Sequence, residues 1–110
     1  MYKIGEFSKI VNIPVRTLRY YDEIGLLRPS VIDQYTGYRY YDDNNINECK
    51  LIKLLKSLDF TLEEIITHKN SINYELLENK KEDLNLKMEL LKMKYAKLTY
   101  MQEHLKEEKV

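Results

Sequence analysis

The sequence contains one cysteine, two prolines, three glycines and no tryptophan in 110 residues. A single cysteine, Cys49, excludes an internal disulfide framework and any multi-cysteine metal site. Three glycines exclude a glycine-rich phosphate-binding loop, which needs several glycines close together. No apolar run is longer than two residues, and the N-terminus lacks the apolar core of a signal peptide. These absences predict a cytoplasmic protein that has no membrane partner.

An excess of charge of one sign is also missing. Eighteen basic and eighteen acidic side chains give a net charge of zero, whereas a protein that binds nucleic acid is usually basic. A nucleic-acid-binding function would therefore depend on where the charges point rather than on their sum. Tyrosine, by contrast, is abundant, because six of the ten tyrosines lie between residues 20 and 41.

Two short helices separated by a tight break are predicted near the N-terminus. Apolar residues follow helical spacing over residues 4–11, and Asn12 suits a left-handed helix end. Pro14 suits the first turn of a second helix, which runs to about Glu23 and is followed by Gly25. A helix, a four-residue break and a second helix have the spacing of a helix-turn-helix.

The second predicted helix has a core face and an outward face. The core face consists of Pro14, Val15, Leu18 and Tyr21. The outward face consists of Arg16, Arg19, Tyr20 and Glu23, with Thr17 at its edge. Because so short a helix needs its apolar side for the core, the arginines and the tyrosine are left for a partner.

The segment after the second helix predicts a β-hairpin. Two β-prone runs, residues 26–32 and 38–41, are joined by a polar segment that ends in Gly37. Pro29 confines the first strand to an edge. Alternation gives the second strand two faces, one with Tyr38 and Tyr40 and the other with Arg39 and Tyr41.

Two further helices and a linker complete the first 73 residues. Asp42 or Asp43 caps a third helix, whose apolar stripe is Ile46, Cys49, Ile52, Leu55 and Leu58. A capping box at residues 61–64 begins a short fourth helix, and residues 70–73 are linker-like. We therefore expect one domain over residues 1–70 and a second element over residues 71–110.

The segment from about Tyr74 to Glu108 predicts one long helix, because it has no proline or glycine. Its apolar residues alternate spacings of four and three, which is the pattern of a coiled-coil seam. The seam consists of Leu84, Met88, Leu91, Tyr95, Leu98 and Leu105, with the polar Gln102 at one position. A helix about 50 Å long cannot be covered by so small a domain, so pairing with a second copy is expected.

Four motifs occur in a characteristic order, and the sequence that carries them resembles the MerR (mercury-resistance-regulator) family. The motifs are IGEFS at residues 4–8, VRTLRYYDEIGLL at 15–27, YRYY at 38–41 and LDFTLEEI at 58–65. The resemblance implies an all-α fold with a small β-hairpin wing, in which a winged helix-turn-helix domain precedes a long antiparallel coiled-coil dimerisation helix. It also implies a homodimer that binds a two-fold-related operator in an overlong promoter spacer. Such a dimer distorts that DNA, so that RNA polymerase engages both promoter elements.

The wing at residues 36–41 is most similar to the multidrug-responsive branch of this family, whose members add a C-terminal ligand-binding domain. This sequence ends at Val110, without room for such a domain and without the cysteine pair of metal-sensing relatives. We expect the DNA-binding and dimerisation part of a longer regulator, with no cofactor and no metal. Two residues depart from the family pattern: Pro14 replaces a frequent serine or threonine cap, and Asp59 replaces a common glycine.

The residues expected to contact double-stranded promoter DNA are Arg16, Thr17, Arg19, Tyr20, Tyr21, Tyr38, Arg39 and Lys56. We expect Arg16 and Thr17 nearest the base edges. Tyrosine hydroxyls can donate to phosphate oxygens without adding charge, and Arg39 and Lys56 are phosphate-contact candidates. Three alternatives stay open: Arg19 pairs with Asp22 or Glu23; Tyr21 joins Tyr40 and Tyr41 in anchoring the wing; and Lys50 and Lys53 are ordinary surface charges.

No catalytic constellation is predicted, so the protein is not expected to be an enzyme. Cys49 is most simply a buried small hydrophobic residue, and His68 and His104 are isolated. Two other functions compete with a dimeric transcription regulator. One is a coiled-coil protein-interaction adaptor, which the outward arginines and tyrosine disfavour. The other is a monomeric, excisionase-like architectural DNA-binding protein, which the three-heptad seam disfavours.

Overall fold

The computed structural model describes residues 1–108. The chain divides into two compact units, a head formed by Met1–Ser71 and a segment that starts at Ile72. The elements in chain order are β1 (Tyr2–Lys3), α1 (Ile4–Val11), α2 (Val15–Glu23), β2 (Val31–Ile32), β3 (Arg39–Tyr41), α3 (Asp43–Ser57), α4 (Leu62–His68) and α5 (Tyr74–Glu108). The predicted helical fold with a small β wing is confirmed.

The turn between α1 and α2 forms as the sequence predicts. Asn12 ends α1 in the left-handed conformation, with φ of 55°, and its backbone N–H donates to the Ser8 carbonyl. Pro14 is the N-cap of α2, where its missing N–H has no intrahelical partner to lose. Lys53 is exposed, as expected of a surface charge, and its ammonium group also donates to the carbonyl of Val11. This long-range contact satisfies a carbonyl at the end of α1.

The wing is a three-stranded antiparallel sheet in the order β1-β3-β2. On one side of β3, Tyr2 pairs with Tyr41, and on the other side Val31 pairs with Tyr40. β1 is not predicted from the sequence, because two residues are too few to show a period. The predicted first strand of the hairpin is also too long: Leu26 and Leu27 are buried in a loop, and the strand begins only at Val31.

A polar turn joins β2 to β3. The Asp33 carboxylate accepts hydrogen bonds from the backbone N–H groups of Tyr35 at 2.8 Å and Thr36 at 3.0 Å. These bonds favour the ionised form and hold the pKa of Asp33 below its usual value. Gly37 then adopts a φ of 73°, which side chains other than glycine rarely tolerate.

The core of the head is built around an aromatic pair. The rings of Phe7 and Tyr41 stack with centroids 4.3 Å apart and planes 10° apart, and both side chains are fully buried. Six further side chains are almost completely buried: Leu18, Leu26, Leu27, Cys49, Ile52 and Ile65. The stack ties α1 directly to β3, so the position of the wing depends on this core.

A polar residue, Asn45, occupies a buried position near the start of α3. Asn45 is 3% exposed and forms a reciprocal capping box with Asp42. Its amide also donates to the Arg28 carbonyl and to Glu48, each at 3.0 Å.

The apolar stripe predicted for α3 is wrong at its C-terminal end. Leu58 lies beyond the last residue of the helix and is 41% exposed.

The α3–α4 connection closes the head. Asp59 lies in this turn with φ of 67°, which explains in physical terms why a glycine suits the position. Thr61 and Glu64 form the predicted capping box at the start of α4. After α4, the Lys69 ammonium group donates to the Leu26 carbonyl and lies 3.5 Å from a carboxylate oxygen of Glu48. This lysine links the end of the head to the loop that follows α2.

Cys49 provides a test of the packing of α3. Its side chain is 1% exposed, and burial raises the pKa of the thiol to about 11. At pH 8 the native thiol therefore carries about a hundredfold less thiolate than an ordinary cysteine does. We expect Ellman's reagent to label Cys49 only at urea concentrations that unfold the head. Rapid stoichiometric labelling of the native protein would contradict this packing.

The second unit is the single helix α5, which spans 35 residues. The Asn73 side chain accepts from the backbone N–H of Leu76 at 2.9 Å and caps its first turn. Leu84 is half-buried, while the other apolar seam residues, Met88, Leu91, Tyr95, Leu98 and Leu105, are between 54% and 75% exposed. A second exposed apolar row, which was not predicted, lies on the opposite side of α5 and consists of Leu86, Leu90, Met93 and Tyr100. In residues 1–108 no helix is long and apolar enough to cross a membrane.

Candidate nucleic-acid interface

The outward face of α2 carries three of the predicted DNA-contacting residues together. Arg16, Arg19 and Tyr20 are exposed, and Thr17 is half-buried at the edge of this face. The opposite face is fixed by Leu18, which is fully buried. The outward surface of this nine-residue helix therefore carries two exposed guanidinium groups and one exposed phenol. The guanidinium groups can form bidentate bonds to guanine or bind phosphate.

An ion pair connects this helix to the wing. The Arg39 Nε donates to the Asp22 carboxylate at 2.9 Å, and the two side chains are 30% and 11% exposed. The alternative in which Arg19 pairs with Asp22 or Glu23 is wrong, because β3 brings Arg39 to the Asp22 carboxylate and Arg19 forms no ion pair within residues 1–108. One edge of the Arg39 guanidinium is occupied, and the pair fixes the orientation of the group.

Tyr21 lies apart from the outward face. It is 4% exposed, and its hydroxyl accepts a hydrogen bond from the Lys56 ammonium group at 3.2 Å. The same ammonium group is 5.9 Å from the centroid of the Tyr21 ring. Tyr21 and Lys56 therefore form a pair, which lines a shallow hollow with Thr17 and the turn between α1 and α2. Tyr21 serves the core through its ring, and its hydroxyl positions Lys56.

A groove beside α2 brings together residues that the sequence analysis did not connect. It lies between α1 and the wing and is lined by Lys3, Ile4, Gly5, Glu6, Lys9, Arg19, Gly37, Tyr38 and Arg39. Two predicted residues, Tyr38 and Arg39, are on its wing side, and Tyr38 is 59% exposed. Lys3 and Lys9 were missed, because nothing in the sequence links them to residues 30 positions later.

Charge is distributed unevenly within a neutral head. Residues 1–71 contain ten basic and ten acidic side chains. The groove nevertheless has four cationic residues against one carboxylate, that of Glu6, and three of the cations are left without an ion pair in residues 1–108, because only Arg39 is paired, with Asp22. Among the described residues, no group of three or more histidine, cysteine or acidic side chains could hold a metal ion. The site therefore has the chemistry of an anion-binding surface. A chain with a net charge of zero can bind nucleic acid when its cations are concentrated on one surface in this way.

Comparison with known proteins identifies the head. A family described as MerR HTH family regulatory protein matches residues 2–71. The multidrug-efflux transporter 1 regulator of Bacillus subtilis (strain 168) is 47% identical over 64 residues, which are 58% of this chain and 23% of that regulator. The chain thus spans about a quarter of the length of the multidrug-efflux relatives that it matches. These relatives are transcription regulators and not enzymes.

Two solved structures extend the similarity beyond the head. The EcmrR–DNA complex in EcmrR-RPo has a TM-score of 0.82 and 29% identity, over 99% of this chain and 41% of that one. The N-terminal part of Mta, the multidrug transporter activator of Bacillus subtilis, has a TM-score of 0.81 and 28% identity. That match covers 92% of this chain and 97% of the other.

Proposed function

Because the chain belongs to the MerR family of helix-turn-helix regulatory proteins, we propose that it reads a two-fold-related promoter operator as a homodimer. Its head is the DNA-binding domain of a transcription regulator. In the proposed complex α2 enters the major groove, and the wing lies against the flanking sugar–phosphate backbone. Promoter DNA is the partner, and the cytoplasm of a bacterial cell is the proposed location.

The observation that carries this proposal is the outward face of α2. Arg16, Arg19 and Tyr20 point away from a helix whose other side is buried in the core. On a helix surface an arginine can pair with an acid three or four residues away. Within residues 1–108, however, neither Arg16 nor Arg19 has a carboxylate within ion-pair distance, and Asp22 is bound to Arg39 instead. The guanidinium groups of Arg16 and Arg19 therefore stay available for bases and phosphates.

The residues have separate roles in this complex. Arg16 and Thr17, near the start of α2, are proposed to contact base edges, and Arg19 and Tyr20 to contact bases or the adjacent phosphates. Tyr38 and Arg39 contact phosphate from the wing. The ammonium group of Lys56, held by the Tyr21 hydroxyl at 3.2 Å, contacts phosphate beside the turn between α1 and α2.

The dimer is proposed to distort the operator rather than to bind it passively. Pairing of two α5 helices fixes the distance between the two heads. A duplex whose half-sites do not match this distance must bend or untwist, at a cost of several kcal/mol that the extra contacts repay. RNA polymerase then responds to the shape of the spacer, and so it is an indirect partner of the protein.

Replacing Arg16 by alanine tests the base-reading role. We expect a loss of about 1–3 kcal/mol on a duplex that the parent protein selects from a random pool, and a smaller loss on a scrambled duplex of the same length. Fluorescence anisotropy titrations on both duplexes measure the difference. In the matched control, Lys50→Ala removes an exposed cation of α3 and leaves both affinities near those of the parent.

Arg39→Ala provides the contrast. As a phosphate contact it is expected to weaken the selected and scrambled duplexes about equally. If Arg16→Ala behaved in the same way, with equal losses on both duplexes, Arg16 would not read bases. If the parent protein selected no sequence from the pool, the proposed function itself would be wrong, and the adaptor alternative would gain support.

A further inference from the structure

We propose that the groove between α1 and the wing holds one sugar–phosphate strand of the operator, and that Lys3 and Lys9 are phosphate contacts. The proposal rests on the DNA-binding function proposed above and adds a second binding element to α2. Lys3 of β1 and Lys9 of α1 are not among the residues that the sequence predicts to contact DNA.

The charges in the groove identify its occupant as a polyanion. Four elements contribute cations: Lys3 from β1, Lys9 from α1, Arg19 from α2 and Arg39 from β3. Within residues 1–108, Lys3, Lys9 and Arg19 have no carboxylate partner within ion-pair distance. Unpaired cations that converge from separate elements repel one another and gain energy only when an anion lies between them.

The continuity of the groove with α2 favours a DNA strand over a small anion. Arg19 belongs both to the outward face of α2 and to the wall of the groove. A strand that leaves the major groove beside Arg19 would therefore enter the groove that Lys3 and Lys9 line. Tyr38 lines the same groove and is exposed, and a tyrosine hydroxyl can donate to a phosphate oxygen without adding charge.

Gly5 supplies an independent observation. It is a helical residue with an ordinary φ, and a Cβ atom added there would have no neighbour within 4 Å. The packing of the head therefore does not require a glycine at this position, although alanine favours a helix more. Gly37, across the groove, needs its glycine for a φ of 73°. A bare backbone at Gly5 instead allows a ligand backbone to approach closely.

The salt dependence of binding to the selected duplex tests the lysines. Each phosphate contact that is removed should lower the magnitude of the slope of log K against log salt by about 0.9. Because a substitution in a homodimer removes one contact from each of two heads, we expect a change of about 1.8 for Lys3→Ala and for Lys9→Ala, and twice that change for the double variant. The preference for the selected over the scrambled duplex should not change, and Lys50→Ala should keep the parent slope.

Two substitutions at α1 separate binding from stability. Glu6→Gln removes the one carboxylate of the groove, so DNA affinity should rise severalfold. The melting temperature should fall slightly, because an acid in the first turn of a helix is stabilising. Gly5→Ala should do the opposite, raising the melting temperature and lowering the affinity severalfold. Loss of folding cannot produce either pattern.

The outcomes distinguish this proposal from the function on which it rests. If the parent protein binds the selected duplex but the double lysine variant keeps the parent slope, the groove is not a phosphate site and the role of α2 stands. If Gly5→Ala binds as tightly as the parent protein, close approach at this point is likewise excluded. If the parent protein shows no preference for any duplex, the proposed function fails first.

Discussion

Replacing Leu91 by aspartate is expected to convert the protein into a monomer and to abolish tight binding to the selected duplex. Leu91 lies in the middle of the apolar seam of α5 and is 62% exposed on a single chain. Burial of one leucine side chain contributes about 1.5–3 kcal/mol. Because a two-fold dimer contains this position twice, the substitution removes about 3–6 kcal/mol, which weakens association at least about a hundredfold.

The effect on DNA follows from the loss of the second head. A monomer contacts one half-site and about half as many phosphates, so both its affinity and its salt dependence fall. Sedimentation velocity gives the oligomeric state, and anisotropy titration gives the affinity for the same preparation. We expect only weak binding to remain, with about half the salt slope of the parent protein and with similar affinity for the selected and scrambled duplexes.

Ala96→Asp is the matched control for this substitution. Ala96 is exposed on the same helix and lies about 140° around it from Leu91, away from the seam. It receives the same charge, and we expect it to remain a dimer with parental DNA affinity. A monomeric Leu91→Asp protein that bound the operator as tightly as the parent would make the dimer irrelevant to recognition.

Phe7→Ala is expected to destabilise the head by about 3–5 kcal/mol, the usual cost of removing a buried phenyl ring. Phe7 is fully buried, and its stack on Tyr41 at 4.3 Å adds ring–ring attraction to the burial of area. For a domain this small, such a loss is a large part of the total stability. Specific DNA binding should be lost as well, because the stack holds α1 to the wing.

Urea unfolding followed by the reactivity of Cys49 measures this loss in the head alone, since α5 contains no cysteine. Tyr35→Ala is the control, because the Tyr35 side chain is 90% exposed and its removal should change stability by less than about 0.5 kcal/mol. A loss below about 1 kcal/mol for Phe7→Ala would mean that the aromatic stack is not the centre of the core.

The helices of the head were predictable because residues close in sequence determine where each helix begins and ends. Asn12 and Pro14 mark the turn between α1 and α2, and Thr61 with Glu64 marks the start of α4 through side chains that bond neighbouring backbone groups. β1 was not predictable, since its two residues gain their extended conformation from Tyr41, 39 positions away. Short strands of this kind are properties of the tertiary structure rather than of their own sequence.

The candidate site divides in the same way. The outward face of α2 follows from helical periodicity, which places Arg16, Arg19 and Tyr20 opposite the buried Leu18. The partners of charged side chains do not follow from periodicity: Asp22 binds Arg39 of the wing, and Lys53 binds the end of α1. Both pairings cross between elements, and no spacing along the chain specifies them.

The long-range contacts of the head also determine when it can form during synthesis. β1 has no strand to pair with until Tyr41 has left the ribosome. The hydrogen bond at the end of α1 cannot form until Lys53 has also been translated. The loop after α2 receives its contact from Lys69 last of all. Since domains fold as units once their distant contacts become available, α2 in the nascent chain stays without its full support until nearly the whole head has been translated.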